Sequence, residues 1–157
     1  MNAVVSRPAQ YVRPQRPQQM PNAKMRDFFV YGLNINVGAL AAQQASFQIQ
    51  ADSDFELQKL SLFATYDDDP ATGNTQAGRI LPFATLQITD TGTGRQVFNQ
   101  EVAIPAIFGD GQIPFILPAT KLFNANASVT VAVTSFDSGN DLILRFAFIG
   151  CKIFSYA

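Results

Sequence analysis

After residue 27, apolar and polar side chains alternate with a period of two far more than of 3.6, the spacing that sends every second residue to the same face of a strand. Phe47 and Ile49 alternate with Gln48 and Gln50, and Val129, Val131 and Val133 alternate with Thr130, Ala132 and Thr134. Each run predicts a strand with one covered face. Over 55–66 the apolar set changes parity, from Phe55 and Leu57 to Leu60, Leu62 and Ala64. An extra residue at Gln58-Lys59 produces that shift, so the pattern predicts a β-bulge and a bent strand. Turn-forming residues separate the runs at 67–74, 90–94, 109–111 and 137–140. A 3.6-residue period is scarce, and the Ala- and Gln-rich stretch 38–45 is the one place where a short helix is expected. Many strands joined by mostly non-helical connections predict an all-β fold, a single antiparallel β-sandwich for which the jelly roll is the commonest closure.

The first 27 residues break this pattern. They carry Arg7, Arg13, Arg16, Lys24 and Arg26 against Asp27 alone, with Pro8, Pro14, Pro17, Pro21 and four glutamines. The remainder holds six basic and eleven acidic residues, so a net charge of −1 conceals an arm of about +4 on a body of about −5. Prolines at this density remove backbone donors and hold the chain near polyproline II, while Val4, Val5, Tyr11, Val12 and Met20 are too scattered to form a core. The expected organisation is an extended arm at 1–27, disordered alone in water, and a β-sandwich body at 28–157. At roughly 3.1 Å per residue the arm reaches on the order of 80 Å, enough to touch more than one neighbour. Arg7, Arg13, Arg16, Lys24 and Arg26 are the candidate partner-facing residues, suited to an acidic neighbour such as the body of another copy.

A hydrophobic content of 47% with 14 phenylalanines is ample for one packed core. Residues 1–10 lack an apolar segment, and the most apolar stretch, 142–154, is interrupted by Arg145 and Lys152. The sequence therefore predicts neither a secretory leader nor a membrane span, and synthesis in the cytosol. The single cysteine, Cys151, has no partner for an internal disulfide, and Ile149 and Ile153 beside it predict a buried thiol. Phe83, Phe108, Phe115 and Phe123 lie beside prolines or glycines or in loop-like segments, and read as core or interface, with core the default.

Catalytic candidates are few. Without histidine, serine and cysteine triads lose their general base and common zinc sites their imidazole ligand. Asp52, Asp54 and Glu56 alternate, so a strand would line them up on one face a few ångströms apart, which opens a calcium or glycosidase reading. The simpler reading is a solvated face whose neighbours Phe55 and Leu57 point inward. Asp67-Asp68-Asp69 before Pro70 reads as a solvated turn, because the spaced oxygens that calcium takes are missing. Asp90-Thr91-Gly92 matches the aspartic-protease tripeptide, and Ile149-Gly150 lies where a retroviral-type enzyme has its hydrophobic-Gly element, so a dimer pairing two Asp90 carboxylates is a remote alternative. Yet Thr89 stands where an apolar approach is needed, and Asp-Thr-Gly-Thr-Gly between Leu86-Gln87-Ile88 and Val97-Phe98 makes a hairpin connection. Gly92-Thr93-Gly94 lacks the third glycine and following helix of a dinucleotide loop. The expectation is a non-enzyme with no catalytic residue, metal or cofactor. Nucleic acid is disfavoured as a partner: five basic charges neutralise few phosphates, the acidic body repels the polyanion, and no basic strand interleaves aromatics.

The segments Phe47-Gln48-Ile49-Gln50-Ala51-Asp52-Ser53-Asp54-Phe55-Glu56-Leu57 and Leu86-Gln87-Ile88-Thr89-Asp90-Thr91-Gly92-Thr93-Gly94-Arg95 resemble parts of small structural proteins of tailed bacteriophages. Pro114-Phe115-Ile116-Leu117-Pro118, Leu122-Phe123-Asn124-Ala125-Asn126 with the strand after it, and Phe146-Ala147-Phe148-Ile149-Gly150-Cys151-Lys152-Ile153-Phe154 are similar in order and spacing. The resemblance covers about residues 46–154 and leaves the arm outside. It implies a jelly-roll cement, or decoration, protein that sits on the outer capsid surface and bridges neighbouring subunits of the head. The implied partners are the major capsid protein and other copies of this chain, and the implied location is the virion. The alternative of a different kind is a tail, fibre, baseplate or vertex protein.

Overall fold

In the computed structural model, which describes residues 24–67 and 79–154, the alternating segments are strands. They are β1 (Met25–Val37), β2 (Ala42–Gln48), β3 (Asp54–Tyr66), β4 (Ala84–Asp90), the short β5 (Arg95–Gln96) and β6 (Val102–Ala103), β7 (Phe115–Phe123), β8 (Ser128–Ser135) and β9 (Leu142–Phe154). One turn of helix, α1 (Ile104–Ile107), follows β6. One sheet has the order β1-β9-β3-β7, the other β2-β8-β4-β5 with β6 also on β4, and the pairings are antiparallel. Consecutive long strands fall in opposite sheets, and the order is that of a jelly roll in which β5 and β6 share one strand position. The expected fold class is therefore the observed one.

The core fills the space between the sheets. Ile35 and Val37 of β1, Phe55 and Leu57 of β3, Leu86 and Ile88 of β4, Val129, Val131 and Val133 of β8, and Leu144 and Phe148 of β9 are all buried. Their intervening neighbours point outward, which is why the alternation was readable. The bulge also lies where the parity changes: register shifts between Leu57 and Lys59 against both β9 and β7. On the β7 side Leu57 pairs with Lys121 and Lys59 with Ile116, so residues 117–120 are looped out against Gln58. Pro118 within that excursion removes a donor from the edge strand and blunts it against strand addition.

Two expectations are corrected. Residues 38–45 are not helical: Gly38 accepts a 3.1 Å bond from the Ala41 amide in a tight turn, Leu40 has φ 50°, and β2 begins at Ala42. The helical preference of Ala and Gln is worth only tenths of a kcal/mol per residue, and pairing of β2 along β8 with Phe47 packed on the core outweighs it. The boundary at 27 also moves, because β1 already pairs with β9 at Met25, opposite Phe154. Arg26 and Asp27 look like arm because they are exposed residues of an edge strand. Among the four phenylalanines in question, Phe123 and Phe108 are buried, Phe115 packs against the core, and Phe83 is 69% exposed. Among the described residues no helix is long and apolar enough to cross a membrane. The expected disorder and reach of the arm and the Asp68-Asp69 turn lie outside the described residues.

Candidate interaction surfaces

Of the five basic residues assigned to a partner, Arg7, Arg13 and Arg16 lie outside the described residues. Lys24 is exposed just before β1. Arg26 turns toward its own body, its guanidinium 2.8 Å from a carboxylate oxygen of Glu56 across the sheet, with 55% of its side chain still open to solvent.

The three alternating acids each have a separate partner. Asp54 and Glu56 share the outer face of β3 while Phe55 and Leu57 point inward, as strand geometry requires. Asp54 accepts a 2.9 Å bond from the Ala125 amide and Glu56 meets Arg26. Asp52, in the turn before β3, accepts from Lys152 at 3.2 Å. The Lys152 ammonium, then the Ser53 hydroxyl, hold the Asp52 carboxyl below its ordinary value. Among the described residues no three His, Cys, Asp or Glu side chains gather as metal ligands would.

Lys152 itself was not singled out by the sequence. It falls on the inward parity of β9 after Phe148 and Gly150 and is 6% exposed. Its ammonium is satisfied at the mouth of the sandwich by Gln50 Oε1, by Asp52 and by the Phe29 ring, 4.5 Å from the ring centroid. Inward parity of a lysine near a strand end was the available signal.

The Asp90 tripeptide closes the β4–β5 hairpin. Asp90 is 2% exposed, its Oδ1 accepting from the amides of Gly92 (3.1 Å) and Thr93 (3.3 Å) and its Oδ2 from the Thr93 hydroxyl (2.8 Å). Gly94 takes φ 65° before β5 begins, the left-handed conformation that glycine supplies at least cost. Gly150, the other half of the protease-like pattern, packs against the β3 bulge.

The outer face of the β1-β9-β3-β7 sheet carries apolar side chains in register. One row across it reads Phe28, Cys151, Glu56, Leu122, and the next Val30, Ile149, Lys59, Ile116. Phe28 is 74%, Ile116 66% and Leu122 48% exposed. Cys151 is half-buried rather than buried, because its parity places it on this outer face; Gln58 Nε2 approaches its sulfur at 3.7 Å. Sequence alternation did not group these positions, and only the register brings them together.

A second apolar surface lies where β4 begins and β8 ends. Leu81, Phe83, Ala84, Ala103, Pro105 and Phe136 line a groove of about 420 Å³. The rings of Phe83 and Phe136 stand 5.7 Å apart, and the Phe136 amide donates to the Phe83 carbonyl at 2.9 Å, fixing one wall. The Glu101 carboxylate edges it. Glu101 accepts from the hydroxyls of Thr85 (2.6 Å) and Thr134 (3.3 Å), and Asp137, directly after Phe136, accepts from the Gly139 and Asn140 amides. The Gly139 amide contributes most to holding the Asp137 carboxyl below its ordinary value. Two large apolar residues flanking Pro82 in a connection were the sequence signal for this groove.

No family model and no curated protein matches the chain. Among solved structures it is similar to the crystal structure of the infectious bursal disease virus VP2 subviral particle, with a TM-score of 0.41 and 12% identity. That alignment covers 88% of this chain and 37% of the other, so the chain spans little more than a third of that protein.

Proposed function

We propose that this chain is a non-enzymatic structural protein of a virion, which binds the outer surface of the capsid and bridges neighbouring capsid subunits as a cement or decoration protein. The observation that carries the reading is the group of exposed apolar side chains on the outer sheet face, Phe28, Val30, Ile116 and Leu122, set around Glu56 and Lys59, on a body preceded by a basic proline-rich segment. Such a face suits a broad protein contact, since large apolar side chains grouped on a surface gain most when covered. The resemblance of residues 46–154 to jelly-roll structural proteins of tailed phages supports the same reading. The segment before β1 adds a tether: weak contacts made by a linked arm become effectively intramolecular and sum over a closed shell.

Quantitative mass spectrometry of purified particles tests it, as moles of this chain per mole of the major shell protein. A ratio near unity, or a simple fraction of it, is the expected result. A ratio many times smaller moves the protein to a tail, fibre, baseplate or vertex, and its absence from particles overturns the reading.

A further inference from the structure

We propose that the groove beside Phe83 and Phe136 is the seat of the proline-rich segment 8–21 from a second copy of this chain. The inference rests on the assembly reading above and adds where the arm binds. Leu81 is 76%, Phe83 69% and Phe136 46% exposed, and Pro105 and Ala103 complete a trough with almost no polar atoms in it. Aromatic-lined grooves of this kind take polyproline II segments, whose rings pack flat and whose conformation is already set before binding. Segment 8–21 supplies Pro8, Pro14, Pro17 and Pro21 with Tyr11, Val12 and Met20, and its charged residues are Arg13 and Arg16 alone. The rim is of opposite sign, with the carboxylate of Glu101 bonded to the groove-lining Thr85 and no lysine or arginine among the described residues that line it.

The placement of the arm's root favours a second copy over the chain's own groove. Met25 pairs with Phe154 at one end of β1, and Val37 with Leu142 at the other. The groove belongs to the Leu142 end, since Ala84 pairs with Ser135 and residue 136 begins the connection to β9. Root and groove are thus separated by the length of β1, about 40 Å at roughly 3.3 Å per residue. β1 runs from the root toward the groove end, so a segment seated in its own groove would have to double back along the body, whereas a neighbouring copy can present its groove without that reversal. The contact is head-to-tail, the kind that links copies in series.

The test uses the full chain with a benzophenone amino acid in place of Tyr11, mixed at high concentration with ¹⁵N-labelled full chain and irradiated. Mass spectrometry is expected to find crosslinks from residue 11 to peptides holding Leu81, Phe83 or Phe136, joining labelled to unlabelled chains. Phe83→Glu and Leu81→Glu, at positions too exposed to threaten folding, should each lower that yield about tenfold. Crosslinks confined within single chains, crosslinks landing on the outer sheet face, or a yield unchanged by both substitutions would each overturn the groove assignment. Retention on particles is scored separately. Lost crosslinks with normal retention remove the groove seat and leave the capsid reading; normal crosslinks in a chain that never accompanies particles do the reverse.

Discussion

Gly150 of β9 lies against the carbonyl oxygen of Glu56 so closely that a Cβ at Gly150 would overlap it, with Phe55 Cζ only 3.0 Å from the same point. The contact is a consequence of the bulge. Where register shifts between Leu57 and Lys59, β3 leans onto β9, and only a residue without a side chain leaves room. Gly150→Ala should therefore force two central strands apart or push Phe55 out of place. A loss of about 3 kcal/mol is expected, the upper end for overpacking, which corresponds to a fall in Tm of about 6–12 °C. Thermal unfolding of the variant checks this, and a Tm within a degree of wild type would contradict the packing argument.

The Asp90 carboxylate serves the hairpin, so its removal should register as stability. Asp90→Ala leaves the Gly92 and Thr93 amides and the Thr93 hydroxyl without their acceptor and is expected to cost about 2 kcal/mol. Asp90→Asn keeps one carbonyl acceptor and should cost about half as much. Denaturant melts of the two variants separate the cases. Equal and negligible effects would show that water replaces the carboxylate at no cost.

Acid should loosen the body through carboxylates spread over its surface. The carboxyls of Asp52, Asp110 and Asp137 are each held below the ordinary 3.8, chiefly by Lys152, by Arg79 and by the Gly139 amide respectively. A lowered folded value means that the unfolded chain binds protons first as pH falls. The contribution is thus complete above 3.8 and is lost as pH drops through the lower folded values. Tm is expected to be level above about pH 5 and to decline below 3.8, shallowly because these groups face water. Asp52→Asn should reduce the slope of that decline, and an identical slope would remove Asp52 from the account.

Much of this was legible from one-dimensional pattern, and the exceptions have physical causes. Alternation marked the core of β3 and β8 and the bulge at Gln58-Lys59, because burial on one face of a strand leaves a period of two in the sequence. It failed at 38–45, where intrinsic preference for helix is smaller than the gain from pairing β2 on β8. It also failed for the surfaces. Phe28, Ile116 and Leu122 are far apart in sequence and meet only through the β1-β9-β3-β7 register, and Phe83 finds Phe136 across the β4–β8 pairing. No local window contains that information. The arm boundary was misplaced for a related reason, since exposed edge-strand residues such as Arg26 and Asp27 have the composition of a tail.

That boundary decides how the arm is to be tested. Deleting 1–27 would also remove Met25, Arg26 and Asp27 from β1 and with them the ion pair to Glu56, confusing a loss of binding with a damaged sheet. Deleting 1–23 leaves the strand whole, so the body is expected to keep its Tm while retention on particles falls. Phe28→Ser provides the complementary perturbation. At 74% exposure Phe28 contributes little to folding, and the change should move stability by no more than about 0.5 kcal/mol. If the outer sheet face is the capsid contact, the same change removes a large apolar anchor and weakens binding by about 1–2 kcal/mol, roughly five- to thirtyfold. Measuring retention of both variants on purified particles separates tether from face: loss only on truncation assigns binding to the arm, loss only with Phe28→Ser assigns it to the sheet. Wild-type retention in both would refute the proposed capsid contact altogether.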